Sequence, residues 1–349
     1  MTQKKYSYKQ SGVDIDTADR TKQEMASIIS QRDARVLNSL GGFASLIDFS
    51  FPKIKHPVLV FKMEEPGSKQ LLAAQMGRLD SVGRDLIHHL INDTIMMGAA
   101  PVAVQDTIIC GSLNKNDVVS LVREMSQACK EQGCQLVGGE TSEQPRVIPK
   151  GSYILSAACV GVVDRERIVD GSRIEEGDLV LGIASNGIHT NGYTLVRSLL
   201  EADPELAKKE IDGEIFLEIA LRPHRCYNLP LQQIFSERRP SGLAHITGGG
   251  IRDNLSRIIP EGVTAVVNLP AIPVPPIFSA IQGAGSVEHD EMLRTFNNGV
   301  GMIIVCRPED HEAVSAVFDS FEIPSFLMGE IHSFDPKAGK VSLQGALSF

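Results

Sequence analysis

Apolar residues fall into two kinds of run along this chain. Continuous apolar runs at Val58–Phe61, Cys134–Val137, Leu179–Ala184 and Ile303–Cys306 predict buried strands, as do the strand-like stretches Tyr153–Val163 and Val102–Cys110, the latter interrupted by Gln105 and Asp106. Other apolar residues recur at helical spacing. Met25, Ile28 and Ile29 predict a helix from Asp16 or Thr17 to about Ser30. Leu86, Ile87, Leu90, Ile91 and Ile95 predict one over 81–97, and Val118, Leu121, Val122, Met125 and Cys129 one over 117–132, closed by Gly133. Shorter helices are expected over 195–200 and 251–259, and the proline-rich Pro270–Pro276 as a loop. Strands alternating with helices indicate an α/β or α+β architecture. The charged stretch Arg165–Asp178 suggests a boundary near 168, hence domains 1–168 and 169–349.

Several polar groups interrupt this pattern where chemistry is expected. The run Cys134–Val137 leads into Gly138-Gly139-Glu140-Thr141, read as a glycine turn that delivers a carboxylate and a hydroxyl at a strand end. Oxygen ligands there suit a Mg²⁺–nucleotide site. The segment Lys62-Met63-Glu64-Glu65-Pro66-Gly67-Ser68-Lys69 follows the first strand with carboxylates, a hydroxyl and a lysine. In the helix over 81–97, Asp85, His89 and Asn92 fall on one stripe with Asp93 beside it. Buried and unpaired, these groups would cost several kcal/mol, so they must face water, partners or a ligand. Gly41-Gly42 is a second glycine turn. The loop Ser185–Tyr193 carries His189 and Asn191, and Thr247-Gly248-Gly249-Gly250 precedes a helix whose backbone N–H groups could receive an anion. Arg294 suits a phosphate and Asn297 an amide or base edge. Each of these also fits an ordinary turn or a solvated face.

Composition narrows the class. The 349 residues are 42% hydrophobic, and 34 basic against 43 acidic residues give a formal charge of −9. That balance argues against general nucleic-acid or anionic-membrane binding. The six cysteines are dispersed without a C-x-x-C pair, so buried thiols are expected rather than zinc or disulfides. The polar start lacks the apolar core of a signal peptide, and no apolar run reaches membrane-spanning length. A cytoplasmic protein is expected.

Taken in order, the segments Tyr8–Ile15, Gly41–Phe43, Asn92-Asp93 with Gly98-Ala99, Leu136–Thr141, Gly187–Tyr193, His245–Gly250 and Arg294–Met302 resemble the aminoimidazole ribonucleotide synthetase (phosphoribosylformylglycinamidine cyclo-ligase) family over nearly the whole chain. The resemblance implies a homodimer in which N-terminal strands form a barrel shared across the two subunits, with a C-terminal α/β domain in each. It implies ATP-dependent ring closure of formylglycinamidine ribonucleotide, with ATP and Mg²⁺ required. Mg²⁺ would lie with Glu64, Asp85, Asp93 and Glu140. ATP would contact Gly41, Gly42, Ser68, Lys69, Asn92, Asp93, Gly138, Gly139 and Thr141. The ribonucleotide would contact His245, Thr247, Gly248, Gly249, Gly250, Arg294 and Asn297, with His189 and Asn191 near the reacting amide.

The chain departs from the family pattern at Met63–Lys69, where the family usually has Thr-Asp-Gly-Val-Gly-Thr-Lys. It also departs at Thr107-Ile108, in place of aromatic residues, and at Gln144 and Arg146 around Pro145. The first departure motivates two alternatives: a related ATP-dependent phosphate-transfer enzyme acting on another substrate, or a non-catalytic dimeric nucleotide-binding protein. ATP turnover with another acceptor would mark the first, and no ADP under any condition the second.

Overall fold

The computed structural model describes residues 12, 15–29, 34–38 and 42–349. Gly41 and most of the Tyr8–Ile15 motif lie outside the described residues.

The chain begins with α1 (Ile15–Ile29), β1 (Pro57–Glu64), α2 (Lys69–Gln75) and α3 (Leu79–Ile95). It continues through β2 (Ala100–Cys110), α4 (Lys115–Glu131), β3 (Gln135–Glu143) and β4 (Tyr153–Asp164). These strands form one sheet in the order β1-β4-β2-β3, antiparallel except for the β2–β3 pair that α4 connects. The Asn114 side chain caps α4, accepting from the N–H of Asn116 at 3.0 Å, and Gly133 leaves the helix at φ +73°. The periodic face of α4 is buried against α3 and β3 as its spacing predicts.

The glycine pair differs from expectation. β3 does not turn at Gly138-Gly139 but runs on to Glu143, paired in parallel with Gln105–Cys110. Glycine is required for close approach rather than reversal. A Cβ on Gly139 would lie 2.2 Å from Asp106 Oδ1 and 2.5 Å from its carbonyl oxygen.

The second half contains β5 (Leu179–Ala184), α5 (Tyr193–Ala202), the short pair β6 (Glu210–Ile211) and β7 (Glu214–Ile215), α6 (Phe216–Leu221) and α7 (Asn228–Glu237). Then come β8 (Gly242–His245), α8 (Gly250–Ser256), β9 (Val263–Asn268), α9 (Pro276–Gly285), α10 (His289–Thr295) and β10 (Val300–Cys306). It closes with α11 (His311–Ser320), β11 (Ser325–Ser333) and β12 (Val341–Gln344). A six-stranded sheet runs β12-β9-β11-β5-β10-β8. Both its faces are covered, which explains why β10 is apolar without alternation. Val300, Ile303 and Val305 join Ile251 and Leu255 on one side, while Met302 and Ile304 join Tyr193, Phe278 and Phe318 on the other.

The result is two mixed α/β domains. The apolar core beneath the first sheet is continuous with the second domain, where Ile87 and Ile91 of α3 belong to one cluster with Ile188, Tyr227 and Leu231. Among the described residues no helix is long and apolar enough to cross a membrane. Five of the six cysteines are buried, Cys226 is half-buried, and all are free thiols.

Candidate active site

The polar stripe of α3 is resolved by partners from the other domain. Asn92 donates to Arg225 O at 2.8 Å and accepts from Tyr227 N–H at 2.9 Å. Asp85 accepts from His224 N–H at 2.6 Å and pairs with Lys69 at 2.8 Å, both side chains being fully buried. Lys69 also donates to Arg222 O at 2.7 Å and His189 O at 3.3 Å. Burial presses the Lys69 ammonium down and the Asp85 carboxyl up, and their mutual contact opposes both shifts. Lys69, Asp85 and Asn92 thus form the seam between the domains. The metal and nucleotide contacts expected of them would need that seam to open. The divergent loop belongs to the same seam. Ser68 lies 3.3 Å from Thr194 Oγ1, and a Cβ on Gly67 would lie 3.2 Å from Thr190 O.

Beside this seam lies a cluster of imidazoles. His189, in the loop after β5, holds a left-handed backbone at φ +65°. Its ring stacks on His224 at 3.9 Å between centroids. His224 Nε2 lies 3.1 Å from His245 Nε2, and His245 Nδ1 lies 2.6 Å from Asp93 Oδ1. Asp93 also meets Lys62 at 2.9 Å, and Lys62 reaches Glu64 at 2.5 Å. Burial would raise the Asp93 carboxyl, but His245, His89 and Lys62 outweigh it and hold it well below the usual range. Burial would likewise lower Lys62, and its two carboxylate partners hold it above the ordinary lysine value. His89, 3.0 Å from Thr190 Oγ1, is pushed down to about 3 by burial and then by His245. Burial, followed by neighbouring positive charge, also lowers His189 well below its usual value. Space for the His189 ring depends on Gly301, where a Cβ would lie 2.8 Å from His189 Cε1 and 1.8 Å from Tyr227 Oη.

The predicted glycine and carboxylate motifs of the first domain gather elsewhere, around a cleft of about 530 Å³ between α1, Gly42–Ser45 and the β2–β3 pair. Gly42, Gly138, Gly139, Glu140 and Thr141 all line it. So does Asp106, which is 5% exposed and has one carboxylate oxygen without a partner. Burial pushes its carboxyl up to about 7. Within a single chain, Asp93 and Glu64 share Lys62, while Glu140 is exposed in the cleft.

On the second domain, the Thr247–Gly250 turn is partly self-satisfied. Gly249 N–H donates to Arg294 O at 3.1 Å and Gly250 N–H to Thr247 O at 3.1 Å, so an anion would be left to Thr247, Gly248 and the exposed Arg294 side chain. Asn191 faces this turn, its Oδ1 3.4 Å from where a Gly248 Cβ would be. Asn297 is a brace instead of an open contact. It donates to Gly187 O at 2.9 Å and Ile188 O at 3.1 Å, and accepts from Ser185 Oγ at 3.0 Å and Gly299 N–H at 2.9 Å.

Comparison with known proteins agrees with this two-domain layout. The family described as AIR synthase related protein, N-terminal domain, matches residues 50–163, and its C-terminal domain counterpart matches 175–335. A phosphoribosylformylglycinamidine cyclo-ligase of Methylobacillus flagellatus is 39% identical over 317 residues, spanning 90% of this chain and 91% of that protein. This chain belongs to the phosphoribosylformylglycinamidine cyclo-ligase family. Among solved structures, the thiamine-monophosphate kinase of Stenotrophomonas maltophilia shares the fold at TM-score 0.69 and 16% identity, covering 93% of this chain and 96% of that one. The hydrogenase maturation protein HypE in complex with ATP shares it at TM-score 0.65 and 17% identity, covering 92% and 88%.

For this cyclo-ligase family member, Asp106, Lys62 and His224 were not among the site residues expected from sequence. Asp106 left a signal, a carboxylate inside the apolar run Val102–Cys110. Lys62 stood only as the first residue of the 62–69 segment and His224 left no signal, because only the folded chain brings them to Asp93 and His245. The cleft fits a Mg²⁺–nucleotide. An unpartnered buried carboxylate oxygen on Asp106, with Glu140 nearby in the same lining, offers the hard oxygen donors that Mg²⁺ takes.

Proposed function

We propose that this protein is an ATP-dependent cyclo-ligase that closes the imidazole ring of formylglycinamidine ribonucleotide to give aminoimidazole ribonucleotide, ADP and phosphate in purine biosynthesis. The observation that carries the reading is 39% identity to a cyclo-ligase across 90% of the chain, a span wide enough to include both the glycine-lined cleft and the histidine seam. An amide oxygen is a poor leaving group, and its phosphorylation makes it a good one. A neighbouring amidine nitrogen then attacks that carbon, and phosphate departs as the ring forms.

The chain's own residues divide this work. Gly42, Gly138, Gly139 and Thr141 cradle the nucleotide, and Asp106 with Glu140 would hold Mg²⁺. Bound there, Mg²⁺ neutralises charge on the transferring phosphoryl group. Thr247, Gly248 and Arg294 receive the ribonucleotide's 5′-phosphate. His189 and Asn191 face the reacting amide, with His189 oriented by Lys69 at its carbonyl and by Asn297 through the preceding loop. His245 is fixed by Asp93. Positioning of this kind can supply much of the acceleration of an intramolecular cyclisation.

We also assign a homodimer in the cytoplasm, divided into an ATP-binding and dimerisation domain, 1–168, and a substrate domain, 169–349. The support for a shared barrel is the outer face of the edge strand β1. Leu59, Phe61 and Met63 alternate outward, with Phe61 71% exposed. Such an edge is a pairing surface unless covered. Purified protein given the ribonucleotide, ATP and Mg²⁺ should form imidazole product and ADP in equal amounts. ADP without imidazole would transfer the reading to another phosphate acceptor.

A further inference from the structure

The histidine seam holds more imidazole than substrate positioning requires. His189, His224 and His245 are 2%, 1% and 5% exposed, and they offer one ligand atom each within 4.8 Å of the others. We propose that these three imidazoles form a second cation site, separate from the Mg²⁺–nucleotide cleft, that takes one divalent transition metal of the zinc class.

Three observations carry this. First, His224 Nε2 and His245 Nε2 lie 3.1 Å apart. Two nitrogens on a tetrahedral zinc with ordinary Zn–N bonds are separated by about 3.3 Å, so the pair already stands at a ligand spacing. Second, His245 Nδ1 is 2.6 Å from Asp93 Oδ1. A carboxylate on the far nitrogen is the usual support of a metal-bound histidine: it fixes the tautomer and directs the other lone pair inward. Third, His189 Nδ1 is buried with no hydrogen-bond partner, while its Nε2 accepts from Asn186 N–H at 3.4 Å. That leaves Nδ1 as the atom His189 can offer. Nitrogen donors of this kind suit zinc, nickel, cobalt or copper and not Mg²⁺.

The His189 and His224 rings stack with their planes 23° apart. Capture of the ion requires one ring to turn about its side-chain bonds. Three protein ligands leave a fourth position for water or a ligand. The cation would hold together three segments of the second domain and, through Asp93, anchor them to α3 of the first. The inference rests on the imidazole geometry and stands whether or not the ring-closing reading does.

The test uses tag-free, chelator-treated full-length protein. Titration with Co²⁺, followed by visible absorption, should give a tetrahedral spectrum saturating at one equivalent, and calorimetry with Zn²⁺ should give the same stoichiometry. His224→Gln should weaken Zn²⁺ by about a hundredfold or more, and Asp93→Asn by about 10–100-fold. His289→Gln, a histidine away from the seam, should leave binding unchanged. No saturable one-equivalent binding to the wild-type chain would overturn the proposal. So would affinity unchanged in Asp93→Asn and His224→Gln, which would place the ion on surface histidines. Asp93→Asn keeps the test decisive if His224→Gln does not fold.

Discussion

Replacing Lys69 by methionine removes one member of a fully buried ion pair while keeping most of its volume. Asp85 then keeps a single donor, His224 N–H at 2.6 Å, where it previously also met an ammonium at 2.8 Å. The carbonyls of Arg222 and His189, at 2.7 and 3.3 Å, lose their donor too. Breaking a buried pair from one side costs about 3–5 kcal/mol, because the remaining charge is stranded. That is a large share of a total stability on the order of 5–15 kcal/mol. For a chain of this length it corresponds to a fall in Tm of roughly 4–7 °C. Lys69→Met combined with Asp85→Leu removes both charges and should recover all but about 1–3 kcal/mol, the remainder reflecting the orphaned His224 N–H. The assay is urea unfolding followed by circular dichroism at fixed pH for wild type, both single variants and the double. A single-variant loss below about 1 kcal/mol, or a double variant as destabilised as the sum of the singles, would refute the buried-pair account.

Other consequences can be checked separately. Asp106, pushed up to about 7, is neutral in the folded protein and charged in the unfolded chain between roughly pH 4 and 7. Its contribution is therefore fully present below the unfolded value and is lost as pH rises through the folded one. Relative to Asp106→Asn, the wild-type chain should lose roughly 2–3 kcal/mol between pH 5 and 7 in denaturant titrations, and a flat difference would contradict the burial argument. Mg²⁺–ATP binding should release a proton from the same carboxyl, so wild-type affinity should rise with pH from 6 to 8 by calorimetry, and that rise should vanish in Asp106→Asn. Gly139→Ala would put a methyl 2.2 Å from Asp106 Oδ1. It should cost about 1–3 kcal/mol of stability and most nucleotide affinity, both readable in a thermal-shift series with ATP. Asn297→Ala removes the brace under the His189 loop and should lower kcat about tenfold or more with little change in nucleotide binding. Loss of ATP affinity in that variant would count against its placement on the substrate side.

Much of this organisation was legible in the sequence, because burial follows periodicity. Most of the apolar runs became buried strands and the α4 face was buried residue for residue, but Val58–Phe61, expected as a buried strand, is the edge strand β1, where Leu59 and Phe61 point outward and are exposed. The α3 stripe was also readable as a demand: Asp85, His89 and Asn92 had to meet something polar. What they meet was not readable: Lys69 lies only 16 residues before Asp85, but Thr190 and the 222–227 segment lie 101 or more residues further on, and only folding brings them to α3. The glycine pair at 138–139 illustrates a different limit. Two adjacent glycines signal either a turn or a close approach, and the deciding neighbour, Asp106, sits on another strand. The divergent loop 63–69 carried the family expectation of ATP contacts at Ser68 and Lys69, and in the fold Gly67, Ser68 and Lys69 also contact the second domain. Asn297 and Asp85 are functional-looking residues whose hydrogen bonds are already committed to the scaffold.

In the proposed ring closure the formamide oxygen leaves as phosphate. Ribonucleotide carrying ¹⁸O in its formyl group, turned over by this protein with ATP and Mg²⁺, tests it directly by mass analysis of the inorganic phosphate. One labelled oxygen is expected in the phosphate for each imidazole ring closed. Label released to water, or phosphate formed without label while the ring closes, would contradict it.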